Sequence, residues 1–179
     1  MNTEINIQLR ALEPTDIELM YAWENDKSIW PVSGTLVPFS RYTMEQFIKN
    51  SHQDIYTNKQ LRLAIDRQQG ADNNHETVGY VDLFEFDPNN RKAGVGILIG
   101  KVEARRQGIA LKSLNLLSEY AFNVLLLHQL YCHIHVHNVA SIRLFSASGF
   151  CQSGELKDWT FNDGCWNNVY VMQKINPVL

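Results

Sequence analysis

The sequence predicts an α/β fold, a mixed, twisted sheet of about seven strands with helices on both faces. Two observations predict it. Short stretches with period-2 alternation of apolar and polar residues recur from Ile5 to Ile175, and longer stretches with apolar residues at helical spacing lie between them. Read in order, these give β-α-α-β-β-β-α-β-α-β-β, and neither a repeat nor a low-complexity linker interrupts them, so 1–179 reads as a single domain.

Ile5, Ile7 and Leu9 alternate with Asn6, Gln8 and Arg10, which marks a first strand with one buried face. Glu13-Pro14-Thr15-Asp16 opens a helix, because proline at the first turn gives up no needed N–H, and Ile17, Met20, Tyr21 and Trp23 supply its apolar face. Pro31, Gly34 and Pro38 predict a loop, and Thr43 is the predicted N-cap of a short helix through Met44, Phe47 and Ile48. Leu61, Leu63 and Ile65 form the second strand, and Gln68 to Glu76 is a polar loop. Thr77 to Phe86 and Lys92 to Ile99 form a hairpin about the turn Asp87-Pro88-Asn89-Asn90. A long helix follows from Ile109 to about Val124, then a strand Leu130 to Val136, a helix Val139 to Ala147 stopped by Gly149, and two strands, Cys151 to Thr160 and Val169 to Ile175. Asn162-Asp163-Gly164 joins the last two.

Composition removes several functional classes. A formal charge of -3 and a pI near 6.0 argue against nucleic-acid binding, which needs a basic excess. Three cysteines, Cys132, Cys151 and Cys165, lack the paired spacing of a disulfide framework or a zinc cluster, so no metal and a reducing cytoplasm are expected. Neither a leader pattern at Met1 to Leu9 nor a run of about 18 apolar residues is present, so no membrane association is expected.

The chemistry is concentrated in Glu103-Ala104-Arg105-Arg106-Gln107-Gly108-Ile109-Ala110, a loop between an apolar strand and the long helix. Such a loop turns unpaired N–H groups toward one point at a helix N-terminus, where the macrodipole also favours an anion. Gly108 allows close backbone approach, and Arg105 or Arg106 can neutralise phosphate charge. No Gly-Lys-Ser/Thr and no Gly-x-Gly-x-x-Gly is present.

Arg105-x-x-Gly108-x-Ala110 resembles the pyrophosphate loop of the GNAT family of N-acetyltransferases. One strand later, Asn138-Val139-Ala140-Ser141-Ile142-Arg143-Leu144-Phe145-Ser146-Ala147-Ser148-Gly149-Phe150 resembles the family's Asn-x-x-Ser-x-x-Leu-Tyr/Phe-x-x-x-Gly-Phe segment. Two motifs in the family's order are far more specific than either alone. Val78 to Leu83, Asn90 to Ala93, Tyr120 to His128 and Phe161 to Gly164 look most like the branch of spermidine (polyamine) and ribosomal-protein N-acetyltransferases.

The resemblance implies a GNAT fold splayed between its fourth and fifth strands, with acetyl-CoA as cosubstrate in the splay. The pyrophosphate would sit on N–H groups of Gln107, Gly108, Ile109 and Ala110 beside Arg105 and Arg106, and the pantetheine would pair with backbone of Ile97, Leu98 and Ile99. Asn138, Ser141 and Phe145 complete the coenzyme set, although Asn138 can equally be a plain helix cap. The acceptor, a small amine such as a polyamine or a peptide amine, would be held by Trp30, Phe39, Tyr42, Trp159 and Phe161, with Glu24 or Asp158 facing its nitrogen. A homo-oligomer is compatible with this reading.

Acyl transfer to an amine needs a proton acceptor, and a carboxylate in an apolar strand is a natural one because burial raises its pKa. Asp82 fits that description, unless it pairs with Arg91 or Lys92 as a structural carboxylate; Glu85 would point to the opposite face of a regular strand. His133, His135 and His137 alternate along one strand, a spacing too wide for one metal ion, and His135 is the second candidate proton acceptor. Phe145 stands where the family commonly has a Tyr that protonates the thiolate, which leaves water, Ser141, Ser146 or Tyr131 for that step, or else a non-catalytic acyl-CoA-binding module.

Overall fold

The computed structural model describes residues 6–69, 74–162 and 164–178. Seven strands form one sheet in the order β1-β2-β3-β4-β5-β7-β6. They are β1 (Ile7–Ala11), β2 (Leu61–Gln69), β3 (Asn74–Asp87), β4 (Lys92–Ile99), β5 (Gln129–His135), β6 (Cys151–Asn162) and β7 (Cys165–Ile175). All neighbours are antiparallel except β4 and β5. A parallel pair needs a crossover, and α5 (Ile109–Asn123) provides it.

Helices cover both faces because adjacent residues of a strand point to opposite sides. Ile65, Val81 and Leu83 join a core with Ile109, Leu114, Leu117 and Ala121 of α5. Their sequence neighbours Ala64 and Tyr80 join a second core with Met20 of α1 (Ile17–Glu24) and Met44 and Ile48 of α3 (Arg41–Asn50). The mixed α/β sheet is therefore as the strand pattern predicts.

Local details differ from the sequence reading where side chains compete for backbone groups. The N-cap of α3 is Ser40 rather than Thr43; the Ser40 hydroxyl accepts the N–H of Thr43 at 3.1 Å, which starts the helix three residues earlier. The predicted loop around Pro31 contains a one-turn helix, α2 (Trp30–Ser33), ended by Gly34 at φ +71°. A further turn, α4 (Ile55–Asn58), is capped by Asp54. β3 begins at Asn74, within the stretch assigned to a polar loop, and β7 begins at Cys165 rather than Val169 because pairing with β6 runs to the hairpin tip. Ile5 and Asp163, assigned to the first strand and the last turn, lie outside the described residues.

Arg10 ties the first elements together. It donates to the carboxylates of Asp66 at 2.7 Å and Asp16 at 2.7 and 2.9 Å, and to Thr77 at 2.8 Å. Burial alone would push the Asp16 carboxyl up, but bonds from Arg10 and the Glu13 N–H hold it below the usual carboxylate range.

Two glycines of the central strands predict opposite responses. A Cβ on Gly79 would stand 2.1 Å from the backbone oxygen of Leu98, whereas a Cβ on Gly96 would meet only Asp82 and Phe84 at 3.7 Å or more. Gly79→Ala is expected to lower stability by about 1–3 kcal/mol, and Gly96→Ala by much less, in urea unfolding of the two variants.

Candidate active site

β4 and β5 are paired only at Lys92↔Gln129, Ala93↔Leu130 and Gly94↔Tyr131. Beyond Gly94, β4 keeps β3 on one side, and β5 keeps β7 on the other. The strands thus part in a fork, and the β5-facing backbone of 95–99 has no strand partner among the described residues. Gly96 to Ile99 are partly exposed, so these unpaired groups are within reach of a ligand.

A clasp of side chains closes the base of the fork. Gly94 has no side chain, so the Phe84 ring lies where its Cβ would be, and Phe84 meets the Tyr131 ring edge-on at 6.2 Å. The Tyr131 hydroxyl donates to Glu85 Oε2. Glu85 adopts φ +49° beside a register shift, so the regular strand that would have put Glu85 on the opposite face from Asp82 is not present there. Burial and the bond to Glu85 push the Tyr131 phenol above its ordinary range, which makes Tyr131 a poor proton donor to a thiolate.

The predicted phosphate loop lies past the open end of β4. Gly108 has φ +78° and is the N-cap of α5 without a side-chain cap, and the place of its missing Cβ is empty. The first N–H groups of α5 lack intrahelical acceptors, as at any helix start. The loop arginines divide their work. Arg105 donates to the carbonyls of Ile99 at 2.9 Å and Gly100 at 3.5 Å, which secures the end of β4. Arg106, at φ +60°, is exposed and has no side-chain partner among the described residues. Gln107 donates to Glu103 O at 2.6 Å and accepts from Arg67 at 3.1 Å, joining the loop to β2.

On the β5 side, Asn138 caps α6 (Val139–Ala147), its Oδ1 accepting the N–H of Ser141 at 3.1 Å. Capping uses only that oxygen, and the Nδ2 amide makes no bond among the described residues. Phe145 is buried against Phe150, the rings 5.0 Å apart and near-perpendicular. Ser146 is exposed.

Asp82 stands opposite Gly96 in the β3–β4 register, just past the point where the fork opens. Its partner is neither Arg91, which donates to the Leu126 carbonyl, nor Lys92; it is Arg62, whose Nε donates to Asp82 Oδ1 at 2.6 Å. Arg62 also donates to Glu24 Oε1. Burial pushes the Asp82 carboxyl up, and although Arg62 opposes this, one guanidinium shared by two carboxylates does not cancel it. Asp82 Oδ2 lies 3.8 Å from the place of the missing Gly96 Cβ. His135, at the end of β5, has Nε2 3.4 Å from Thr160 Oγ1. His133 and His137 are exposed, and no group of three His, Cys, Asp or Glu among the described residues is arranged to hold a metal.

The predicted acceptor residues are spread over several elements. Glu24 is held by Arg62, which leaves it less free to face an amine than its sequence position suggested. Trp30 donates to the Glu24 carbonyl at 2.9 Å, and Asn25 clamps the backbone of Phe39 at 2.8 and 3.0 Å. Tyr42 and Trp159 are exposed. Asn162 donates to the Pro31 carbonyl at 3.2 Å, so the β6–β7 hairpin tip touches α2. Arg62 and Tyr80 were missed by sequence reasoning, where Arg62 was simply the polar phase of an alternating strand. The available signal was an arginine on the same strand face as buried Ala64.

A family model described as Acetyltransferase (GNAT) domain matches residues 6–151. The chain belongs to the GNAT acetyltransferase family. Its activity is accordingly transfer of an acetyl group from acetyl-CoA to an amine. The spermidine N(1)-acetyltransferase of Vibrio cholerae is 27% identical over 179 residues, covering 97% of this chain and 95% of that protein. The crystal structure of spermidine N-acetyltransferase from Vibrio cholerae in complex with CoA and spermine superposes with a TM-score of 0.81 at 27% identity, covering 94% of this chain and 95% of that one. A dodecameric structure of the Vibrio cholerae enzyme in an intermediate state gives 0.72 at 25% identity, covering 94% and 93%. No helix among the described residues is long and apolar enough to cross a membrane.

Acetyl-CoA is expected to raise the melting temperature, since a ligand that binds only the native state stabilises it by RT ln(1 + [L]/Kd). Gly108→Asp should abolish the shift and leave the ligand-free melt little changed, because Asp tolerates a left-handed backbone better than most residues. An intact shift in differential scanning fluorimetry would remove the phosphate from this loop.

Proposed function

We propose that this chain acetylates a primary amine of a polyamine, with the coenzyme in the β4–β5 fork and Asp82 accepting the proton of the amine. The observation that carries the site is the juxtaposition of a carboxylate of raised pKa with the unpaired edge of β4. The polyamine rests on the relatives named above. It is also supported by the exposed rings of Trp159, Phe161 and Trp166, since an aromatic face attracts an ammonium group. Carboxylates contribute less, because Glu18 is paired with Arg41, and Glu24 with Arg62.

Bound acetyl-CoA supplies the thioester carbonyl that the amine attacks. Unpaired N–H groups of 95–99 orient the pantetheine arm, N–H groups of 107–110 with Arg106 receive the pyrophosphate, and the Asn138 Nδ2 amide is available to the arm from the β5 side. Asp82 takes the ammonium proton directly or through a water molecule, so that a neutral nitrogen attacks. Phe145 has no proton to give and Tyr131 is held by Glu85, so the thiolate takes its proton from water or from Ser141. The same reading makes 1–179 one catalytic domain, cytoplasmic in keeping with its three unpaired cysteines, without nucleic acid as a partner, and assembled as a homo-oligomer like its relative.

Thiol release in the presence of acetyl-CoA should be faster with spermidine or spermine than with lysine peptides or N-terminal peptides. Coenzyme binding without turnover on any amine would replace the enzyme by an acyl-CoA-binding module.

Asp82→Asn keeps the shape and removes the proton acceptor. Turnover should fall about 10²-fold near pH 7 and partly recover at higher pH, where more of the amine is already neutral, while the coenzyme-induced melting shift persists. Full activity at neutral pH would make Asp82 structural and move attention to His135.

A further inference from the structure

Arg62 sits at a place where three elements meet. Its strand partner in the β2–β3 register is Asp82 itself, and Glu24 is the last residue of α1. Nε holds Asp82 Oδ1 and Nη1 holds Glu24 Oε1, while the guanidinium carbon lies 5.2 Å from the centre of the Phe47 ring and 5.7 Å from that of the Tyr80 ring. The side chain is only 17% exposed. A planar fork fits this slot because it donates in two directions at once to two carboxylates; an ammonium group on a flexible stem does not.

The charges around Asp82 are then few and identifiable. From α1 comes the Glu24 carboxylate, from β2 the Arg62 guanidinium, from the residue just before β2 the neutral Gln60 amide, and from β3 Tyr80, whose ring lies by Arg62 and whose hydroxyl is buried without a hydrogen-bond partner among the described residues. From β4 comes Gly96, with no side chain at all. Two carboxylates on one guanidinium leave a net charge of one negative in a poorly solvated place, so whatever strengthens one arm of Arg62 weakens the other.

We propose that Arg62 is a positioning residue for the proton transfer: it grips Asp82 by Oδ1 so that Oδ2 faces Gly96 and the fork, and Glu24 competes with Asp82 for the same guanidinium. This rests on Asp82 being the proton acceptor. Glu24 thereby acts on the reaction through Arg62 rather than by contact with the amine. Loss of the Glu24 charge gives Asp82 the whole guanidinium and makes it a weaker base. Loss of the Arg62 charge leaves two carboxylates facing each other and makes Asp82 harder to ionise.

The test is the pH profile of kcat/KM with acetyl-CoA and spermidine for Glu24→Gln, Arg62→Lys and Arg62→Met, with Asp82→Asn alongside. Glu24→Gln should move the acidic limb down by about one on the pH scale, and Arg62→Met should move it up by a similar amount, with Arg62→Lys between Arg62→Met and the parent. A purely structural role would change the rate without moving the limb in opposite directions. Coenzyme-induced melting shifts should be retained in every variant that folds, and Glu24→Gln carries the test if Arg62→Met does not fold. Limbs that stay put in Glu24→Gln and in the folded Arg62 variants, with Asp82→Asn still inactive, overturn the role of Arg62 and keep Asp82 as the base. Full activity of Asp82→Asn overturns both.

Discussion

Parallel strands β4 and β5 share a ladder over only three residue pairs, and the backbone on the β4 edge beyond it has no strand partner among the described residues. Buried polar groups without partners are costly, so a sheet divided in this way is stable only if water or a ligand enters the gap. Several features of the molecule keep that gap open and bounded. α5 spans the crossover beneath it, the Phe84, Tyr131 and Glu85 clasp closes its base above Gly94, and Arg105 secures the far end of β4 through the Ile99 carbonyl. Asp82 then stands opposite Gly96 where the strand edge opens, and the loop from Arg105 to Ala110 follows its far end.

The other organising feature is the pairing of carboxylates with arginines on the α1 side of the sheet. Glu18 and Glu24 each face an arginine, and Asp82 shares its arginine with Glu24. An arginine buried between carboxylates costs desolvation, which is recovered only when both arms are bonded, and Arg62 donates to Asp82 and to Glu24 with two aromatic rings close by. The Arg62 cluster so formed carries a single net negative charge, and exposed aromatic rings lie on the β6–β7 hairpin.

The elements of this fold were legible to the extent that their signals were local. Alternation in Leu61 to Ile65 and Lys92 to Ile99, the helical spacing from Ile109, and the Gly149 stop at φ +88° depend on residues a few positions apart. Where two local signals competed, the reading slipped: Thr43 lost the cap to Ser40, and Pro31 lies inside a helical turn whose first positions tolerate it. The bulge that turns Glu85 toward Tyr131 has no signature in the strand pattern, because it compensates for a partner on another strand.

By itself the sequence determined the order of the strands and of the longer helices, the loop from Arg105 to Ala110 at a helix start, the capping Asn138, and the carboxylate in an apolar strand, since each depends on neighbours along the chain. Only the tertiary structure decided which cation meets Asp82, which of two adjacent arginines secures the end of β4, and which strand edge is left open. Those outcomes join residues far apart in sequence: Glu24 and Arg62 are 38 positions apart, and Pro31 and Asn162 are 131 apart. Such pairs meet only once strand order and register are settled, and a shift of one residue would turn Arg62 to the opposite face and leave Asp82 without its partner.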